Sequence, residues 1–206
     1  TIPTTEQPAV LLDAGANTEC KAEHLLQFGL MGSVYAQLAL GVKNPRIGLL
    51  SIGEEETKGN ELTRDAYHQL KASSVEFIGS VEARDVYRGV ADVIVCDGFT
   101  GNVVLKVSEG LVEAVELLLG DELKGTFSSQ VGYLLSQRAF RRFRKRVDYS
   151  EYGGAPLMGV AGLAVVGHGR SSVKAIRNAI VMAYRFVSTD FVKRVEEEVS
   201  ITVQSK

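Results

Sequence analysis

Short apolar runs that stop abruptly at turns rich in Gly, Asn and Asp recur along this 206-residue chain. Most are followed by a stretch of helical periodicity. Ala9-Val10-Leu11-Leu12 ends on the carboxylate of Asp13 and enters Ala14-Gly15-Ala16-Asn17. Runs of this length, apolar on consecutive positions, suit strands buried on both faces, as in parallel sheets. Residues 21–41 then carry Leu25, Phe28, Gly29, Gly32, Ala36 and Leu40 at helical spacing, with small residues where a close neighbour packs. Arg46–Ser51 is the next strand, Gly53–Asn60 an acidic turn, and Glu61–Ala72 a helix. Val75–Ile78 and Val90–Cys96 are two further runs. A long helix is predicted from Gly101, with Val104, Val107, Leu111, Val115 and Leu118 on one stripe. Leu163–Val166 is the last strand. The helix after Arg170 has the cleanest stripe of all, through Val173, Ile176, Ile180, Ala183, Tyr184 and Val187. Strand–helix alternation predicts an α/β fold with a largely parallel sheet flanked by helices. The expected organisation is one α/β catalytic domain over 1–206, with a basic helical excursion at about 122–147.

Bulk properties narrow the function classes. Apolar residues make up 45% of the chain and charged residues 23%, which is ordinary globular composition. A formal net charge of −2 argues against a chain devoted to nucleic acid. Cys20 and Cys96 lie far apart without metal-ligand spacing, so no zinc site or disulfide framework is expected, in keeping with a reducing cytoplasm. No run approaches the ~20 apolar residues of a membrane span. No signal peptide opens the chain, and the first residue is Thr1 rather than Met, so a processed or truncated start is expected.

In open parallel sheets ligands bind beyond the carboxyl ends of the strands. Three polar turns follow strands here: Asp13–Asn17, the acidic turn through Lys58-Gly59-Asn60, and Asp97-Gly98-Phe99-Thr100-Gly101-Asn102. Glycine lets a ligand approach the backbone, and N–H groups at a helix start favour anions such as phosphate. Each turn taken alone also suits ordinary helix capping. Together they mark one edge of the sheet, with Asn17, Asn60, Asp97, Gly98 and Gly101 as candidate phosphate or substrate contacts. Lys58 reads either as a fixed cation reaching the cleft or as a surface lysine balanced by Glu54, Glu55 and Glu56. Asn102 either holds a carbonyl or phosphate oxygen or caps a helix. His168, between Gly167 and Gly169, is an acid–base or phosphate-binding candidate with an equally good structural reading. Neither cysteine is expected to act as an acyl-accepting nucleophile.

A fourth feature stands apart. Arg138, Arg141, Arg142 and Lys145 form one basic helical stripe, with Tyr133, Phe140, Phe143 and Val147 on another face. Such a helix suits an anionic membrane surface or an acidic partner protein. The bland alternative is a solvated helix at a dimer interface with its arginines paired to carboxylates.

Several strings taken together resemble one family. They are Leu11–Lys21 continuing into His24–Phe28 and Met31–Ala36, then Ile52–Leu62, Cys96–Lys106, Asp148–Leu157 and His168-Gly169. In order and spacing they are similar to the acyl-ACP:phosphate acyltransferase family (PlsX), over essentially residues 9–190. Family members begin with a further segment carrying an Ala-Met-Gly-Gly-Asp turn and a Ser-Ala-Gly-Asn-Thr stretch, so the resemblance implies a C-terminal portion. It implies a fold like phosphotransacetylase and the isocitrate and isopropylmalate dehydrogenases, used as a homodimer. It also implies transfer of a long acyl chain from acyl carrier protein to inorganic phosphate, giving acyl phosphate for phospholipid synthesis. Lys58 and Asn102 match the family's motifs where phosphate and an oxyanion must be held, and Asp97 where the turn is oriented. No cofactor and no metal are implied. The dehydrogenase kinship does not bring a nicotinamide, for which the chain has no GxGxxG after a strand. Two alternatives remain open: a phosphotransacetylase acting on coenzyme A thioesters, and a membrane-recruited scaffold without catalysis. The expected location is cytoplasmic with peripheral membrane association. Expected partners are acyl carrier protein, phosphate, an anionic membrane surface and a second copy, with no nucleic acid.

Overall fold

The computed structural model describes residues 1–147, 153–169 and 171–204, the side chains of 202–204 excepted. Four strands form a parallel sheet: β1 (Val10–Leu12), β2 (Arg46–Ser51), β3 (Glu76–Glu82) and β4 (Val93–Val95), in the order β1-β4-β2-β3. Its centre is β4, three β-branched residues buried on both faces. Val10 lies opposite Val93 on one side, and Ile47 lies opposite the same residue on the other. Alternation along these strands divides the core. Val93, Val95, Ile47 and Leu49 face a larger cluster with Leu25, Leu30, Leu70 and Phe186, whereas Ile94, Leu50 and Leu11 face a smaller one with Ile2, Val81 and Val86. Fully burying a side chain of this kind contributes about 1.5–3 kcal/mol, so the central strand is the most strongly held element.

The larger cluster is roofed by α1 (Ala22–Tyr35), α2 (Glu61–Lys71) and α6 (Phe191–Gln204). The small residues of α1 do pack closely: a Cβ on Gly32 would lie 2.5 Å from Val93 Cγ1. One wide turn, Ala36–Leu40, continues α1 in π geometry up to Gly41. Phe191 begins α6 and stacks on Phe186 of α5 (Val173–Ser188) at a 4.3 Å centroid distance. The amino-terminal edge of the sheet is pinned by Asp92. It accepts from Arg46 N and Nε at 2.9 and 3.0 Å, from Arg46 Nη2 at 3.1 Å and from Gln7 Nε2 at 3.0 Å.

The structure departs from the sequence expectation in several places. The strand expected at 75–78 runs on to Glu82, with a register shift between Ile47 and Gly48 that leaves Ile78 without a partner in β2. The last strand, β6 (Ala164–Val166), is not in the parallel sheet; it pairs antiparallel with β5 (Ala155–Leu157) in a separate two-stranded sheet. Alternation also ends at β4, because α3 (Gly98–Gly125) is followed directly by α4 (Phe127–Val147). At 1.5 Å per residue α3 is about 42 Å long. Only its start meets the sheet, through Val104, and the rest pairs with α4 in a helical hairpin. Thus the basic excursion is a helix at 127–147, hinged at Thr126, whose hydroxyl accepts from Ser129 N.

The two long apolar stripes are largely exposed. On α3, Val107, Leu111 and Leu118 each show more than 60% of their surface. On α5, Val173 is 87% and Tyr184 76% exposed, while Ala175 and Phe186 form the buried face. No helix among the described residues is long and apolar enough to cross a membrane.

Candidate active site

Because β1, β4 and β2 are parallel neighbours, the three polar turns leave the same edge of the sheet side by side. The turn after β1 is organised by Asp13, which is almost fully buried. Its Oδ1 accepts from Gly15 N and Ala16 N, both at 2.9 Å, and its Oδ2 from Asn17 N at 2.7 Å and Asn17 Nδ2 at 3.0 Å. An aspartate side chain bonding the backbone just beyond it is the Asx-turn mode, here extended over three successive amides. The donors expected to face phosphate are therefore turned inward, and Asn17 is committed to Asp13.

The third turn begins α3 at Gly98, three residues before the expected start. Asp97 is its N-cap, accepting from Thr100 N at 2.9 Å and Thr100 Oγ1 at 2.7 Å. Asn102 is consequently in the second helical turn and cannot be the cap. Two further backbone donors are engaged: Gly98 N donates to Asn17 O at 2.7 Å, and Gly101 N to Asp97 O at 2.9 Å. Neither amide is open in this geometry. The place of Gly101 has a steric cause instead. A Cβ there would sit 1.8 Å from Asp13 O, so only glycine lets helix and turn touch. Gly15 (φ +132°) faces Asn102, whose Cβ and Oδ1 both lie 3.6 Å from where a Gly15 Cβ would be.

Between β2 and α2, Lys58 N donates to Glu55 O at 3.0 Å, closing a tight turn, and Asn60 caps α2 by accepting from Thr63 N at 2.9 Å. Asn60 Oδ1 is therefore used by the helix. Of the three glutamates, Glu56 is held by Lys71 Nζ at 3.2 Å and lies 3.4 Å from His68 Nδ1. Among the described residues Lys58 Nζ has no carboxylate within 4.0 Å and no hydrogen bond, and the Asn102 amide has none either. Both side chains are exposed. The local balance of Lys58 by Glu54, Glu55 and Glu56 is not what the fold builds. At the central strand's neighbour, Ser51 Oγ is buried without a partner at the end of β2.

His168 follows β6, so it stands on the other sheet from the three turns; its carbonyl accepts from Ser171 N at 2.9 Å. Residues 148–152 of the Asp148–Leu157 string lie outside the described residues. Burial pushes both thiols up, Cys96 more strongly than Cys20, with nearby Asp97 and Asp13 adding to it for each. Cys96 Sγ donates to Asp13 O at 3.4 Å and packs under Gly101. A thiol held in its protonated form is a poor nucleophile. No group of three or more His, Cys, Asp or Glu among the described residues is placed to hold a metal ion.

The basic helix α4 is exposed along its length, with no buried residue. Arg144 pairs with Glu116 of α3 at 3.1 Å, and Arg146 Nη2 reaches the carbonyls of Thr4 and Thr5 at 2.7 Å. The predicted stripe behaves differently: among the described residues Arg138, Arg142 and Lys145 have no partner, and Arg141 touches only Gln137. Phe140 and Phe143 face α3. With Tyr133, Val115, Leu119 and Leu123 they line a groove of about 540 Å³ between the two helices. Phe127 is the most exposed aromatic residue of α4, Leu134 and Leu135 are exposed on the same helix, and Phe143 keeps about half of its surface open.

Comparison with known proteins identifies a family. A family model described as "Fatty acid synthesis protein" matches residues 1–194. A phosphate acyltransferase of Geotalea uraniireducens (strain Rf4) is 54% identical over 196 residues, covering 95% of this chain and 57% of that protein. One from Syntrophotalea carbinolica is 56% identical over 187 residues, covering 91% and 54%, and one from Acidobacterium capsulatum 51% over 204 residues, covering 99% and 60%. The chain spans a little over half the length of these relatives. On a match that runs through β1, both central turns and α5, the chain belongs to the fatty acid synthesis protein family, whose curated relatives here are phosphate acyltransferases.

Proposed function

We propose that this chain carries part of the catalytic apparatus of a phosphate acyltransferase that moves a long acyl group from acyl carrier protein to inorganic phosphate. One observation carries the reading. Beyond the carboxyl ends of the neighbouring strands β2 and β4, Lys58 and Asn102 have no side-chain partner among the described residues, while Asp13, Asn17, Asn60 and Asp97 are each bonded within their own turns. An unpaired cation and an unpaired amide are what the reaction asks for. A phosphate oxygen attacks the thioester carbon, its bond to carbon forms, charge gathers on the carbonyl oxygen, and the carbon–sulfur bond breaks to release the carrier thiolate. Lys58 offsets charge on phosphate or on the oxyanion, and Asn102 donates to the other. The suppressed acidity of both cysteines supports direct attack by phosphate without an acyl-enzyme. His168 is retained only as an auxiliary phosphate or proton-handling group contributed from the second sheet.

Two further parts belong to the proposal. The apolar faces of α3 and α5 support a homodimer, since exposed patches of this kind mark interaction surfaces. The unpaired stripe of α4 supports contact with an anionic surface, membrane or carrier protein, at about 1 kcal/mol per basic residue for lipid. Acyl phosphate is a reactive anhydride with a greasy tail, and release at a bilayer would shorten its path through water.

The test compares substrates. With the chain extended to its relatives' length, phosphate-dependent turnover of long-chain acyl carrier protein should far exceed that of acetyl coenzyme A. Preference for the coenzyme A thioester points to a phosphotransacetylase, and no turnover of either to a scaffold.

A further inference from the structure

We propose that Asp13 is a positioning residue for this reaction: its carboxylate holds the 14–17 turn as the wall against which Asn102 is set. The inference rests on the role assigned above to Asn102. Asp13 is 4% exposed, and among the described residues no cation pairs with it. Its charge is met by four N–H donors from the turn alone, at 2.7–3.0 Å. Burying a charge is costly unless it is fully hydrogen-bonded, so the turn and the carboxylate require each other. An anion supplied by the protein thereby fills the place where substrate phosphate was expected.

What the arrangement achieves lies next door. Asn17 O receives Gly98 N at 2.7 Å, Asp13 O lies against Gly101, and Gly15 faces the Asn102 side chain. The turn is thus fixed to the first two turns of α3 at three points around Asn102. Backbone pairing holds its base independently, with Asp13 N donating to Cys96 O at 2.9 Å and Cys96 N to Leu12 O at 2.8 Å. The tip, however, depends on the carboxylate. Asparagine in its place keeps the shape but turns one acceptor into a donor facing Asn17 N and Nδ2, so the tip must open.

The experiment is a double-mutant cycle in the extended chain, with kcat and the phosphate KM measured alongside the unfolding midpoint. Asn102→Ala is measured first; normal turnover there overturns the site reading itself, and this inference with it. Given a slow Asn102→Ala protein, Asp13→Asn should lower kcat by about 10²-fold, as misplacement of a catalytic group by an ångström does, with little change in KM. Adding Asp13→Asn to Asn102→Ala should then cost no more than about threefold, because residues acting through one another are non-additive. Losses that multiply in full, or unchanged kcat in folded Asp13→Asn, overturn the positioning role while leaving the site reading intact. If Asp13→Asn does not fold, Asp13→Ser, which keeps one acceptor for the turn amides, enters the same cycle, and the same losses count for or against the positioning role.

Discussion

Lys58, Asn17 and Asn60 sit in the polar turns and Asn102 in the second turn of α3, yet the fold uses them differently. Asn17 satisfies Asp13 and Asn60 satisfies α2, whereas Lys58 and Asn102 have no side-chain partner among the described residues, which is why the proposal gives them the ligand. Sequence could not sort them, since capping and ligand-binding asparagines have the same neighbours, and the answer for Asn102 turned on whether α3 starts at residue 98 or 101. Asp13 was visible only as a carboxylate closing an apolar run. The Asp-Ala-Gly-Ala-Asn spacing is the signal that could have shown it as the organiser of its turn. Poor activation of the cysteines is settled by the structure rather than by sequence neighbours, since burial beside two aspartates raises both thiols although Lys21 and His24 follow Cys20 closely. Cys20→Ser and Cys96→Ser should therefore keep substantial turnover, measured as acyl phosphate formed; an acyl group trapped on either sulfur during turnover would contradict direct attack.

Among the elements, the parallel strands were legible because β4 and its neighbours are buried on both faces and so are apolar at every position. β3 was cut short at 78, because Gly79, Ser80 and Glu82 carry no apolar signal and owe their strand geometry to β2. α6 went unnoticed, although Phe191, Val195 and Val199 at i, i+4 and i+8 would have shown it. The Asp92 cluster makes an element-level prediction about the opposite sheet edge. Burial alone would raise this carboxyl, but Arg46 and Gln7 hold it below its usual 3.8. A folded-state pKa depressed in this way contributes stability fully above the unfolded value and loses it as pH falls through the folded one. Denaturant unfolding followed downward from pH 5 should thus show a loss below about pH 4 that Asp92→Asn removes, with that variant less stable near neutrality by about 2–4 kcal/mol. For α4, changing Arg138, Arg141, Arg142 and Lys145 to glutamine should abolish flotation with anionic liposomes, as should high salt, while turnover of a soluble substrate persists. Flotation that survives the change would exclude the membrane role. Normal flotation with collapsed turnover on acyl carrier protein would give the stripe to the carrier.

At the scale of the whole molecule, the cleanest helical stripe in the sequence proved to be surface. Periodicity marks an apolar face but not what covers it, so α5 is readable as a helix while the exposure of its stripe is not. Sedimentation of the extended chain should give a dimer, and Ile180→Asp combined with Tyr184→Asp should shift it to monomer without unfolding it; a dimer that persists would place the interface elsewhere. The central claim, that the uncommitted pair on β2 and β4 performs acyl transfer to phosphate, is tested most directly by acyl phosphate formation in Lys58→Ala and Asn102→Ala. Each should lose about 10²-fold or more in kcat, the scale of a missing oxyanion donor, with its fold intact. Near-normal turnover in either folded variant would contradict the assignment.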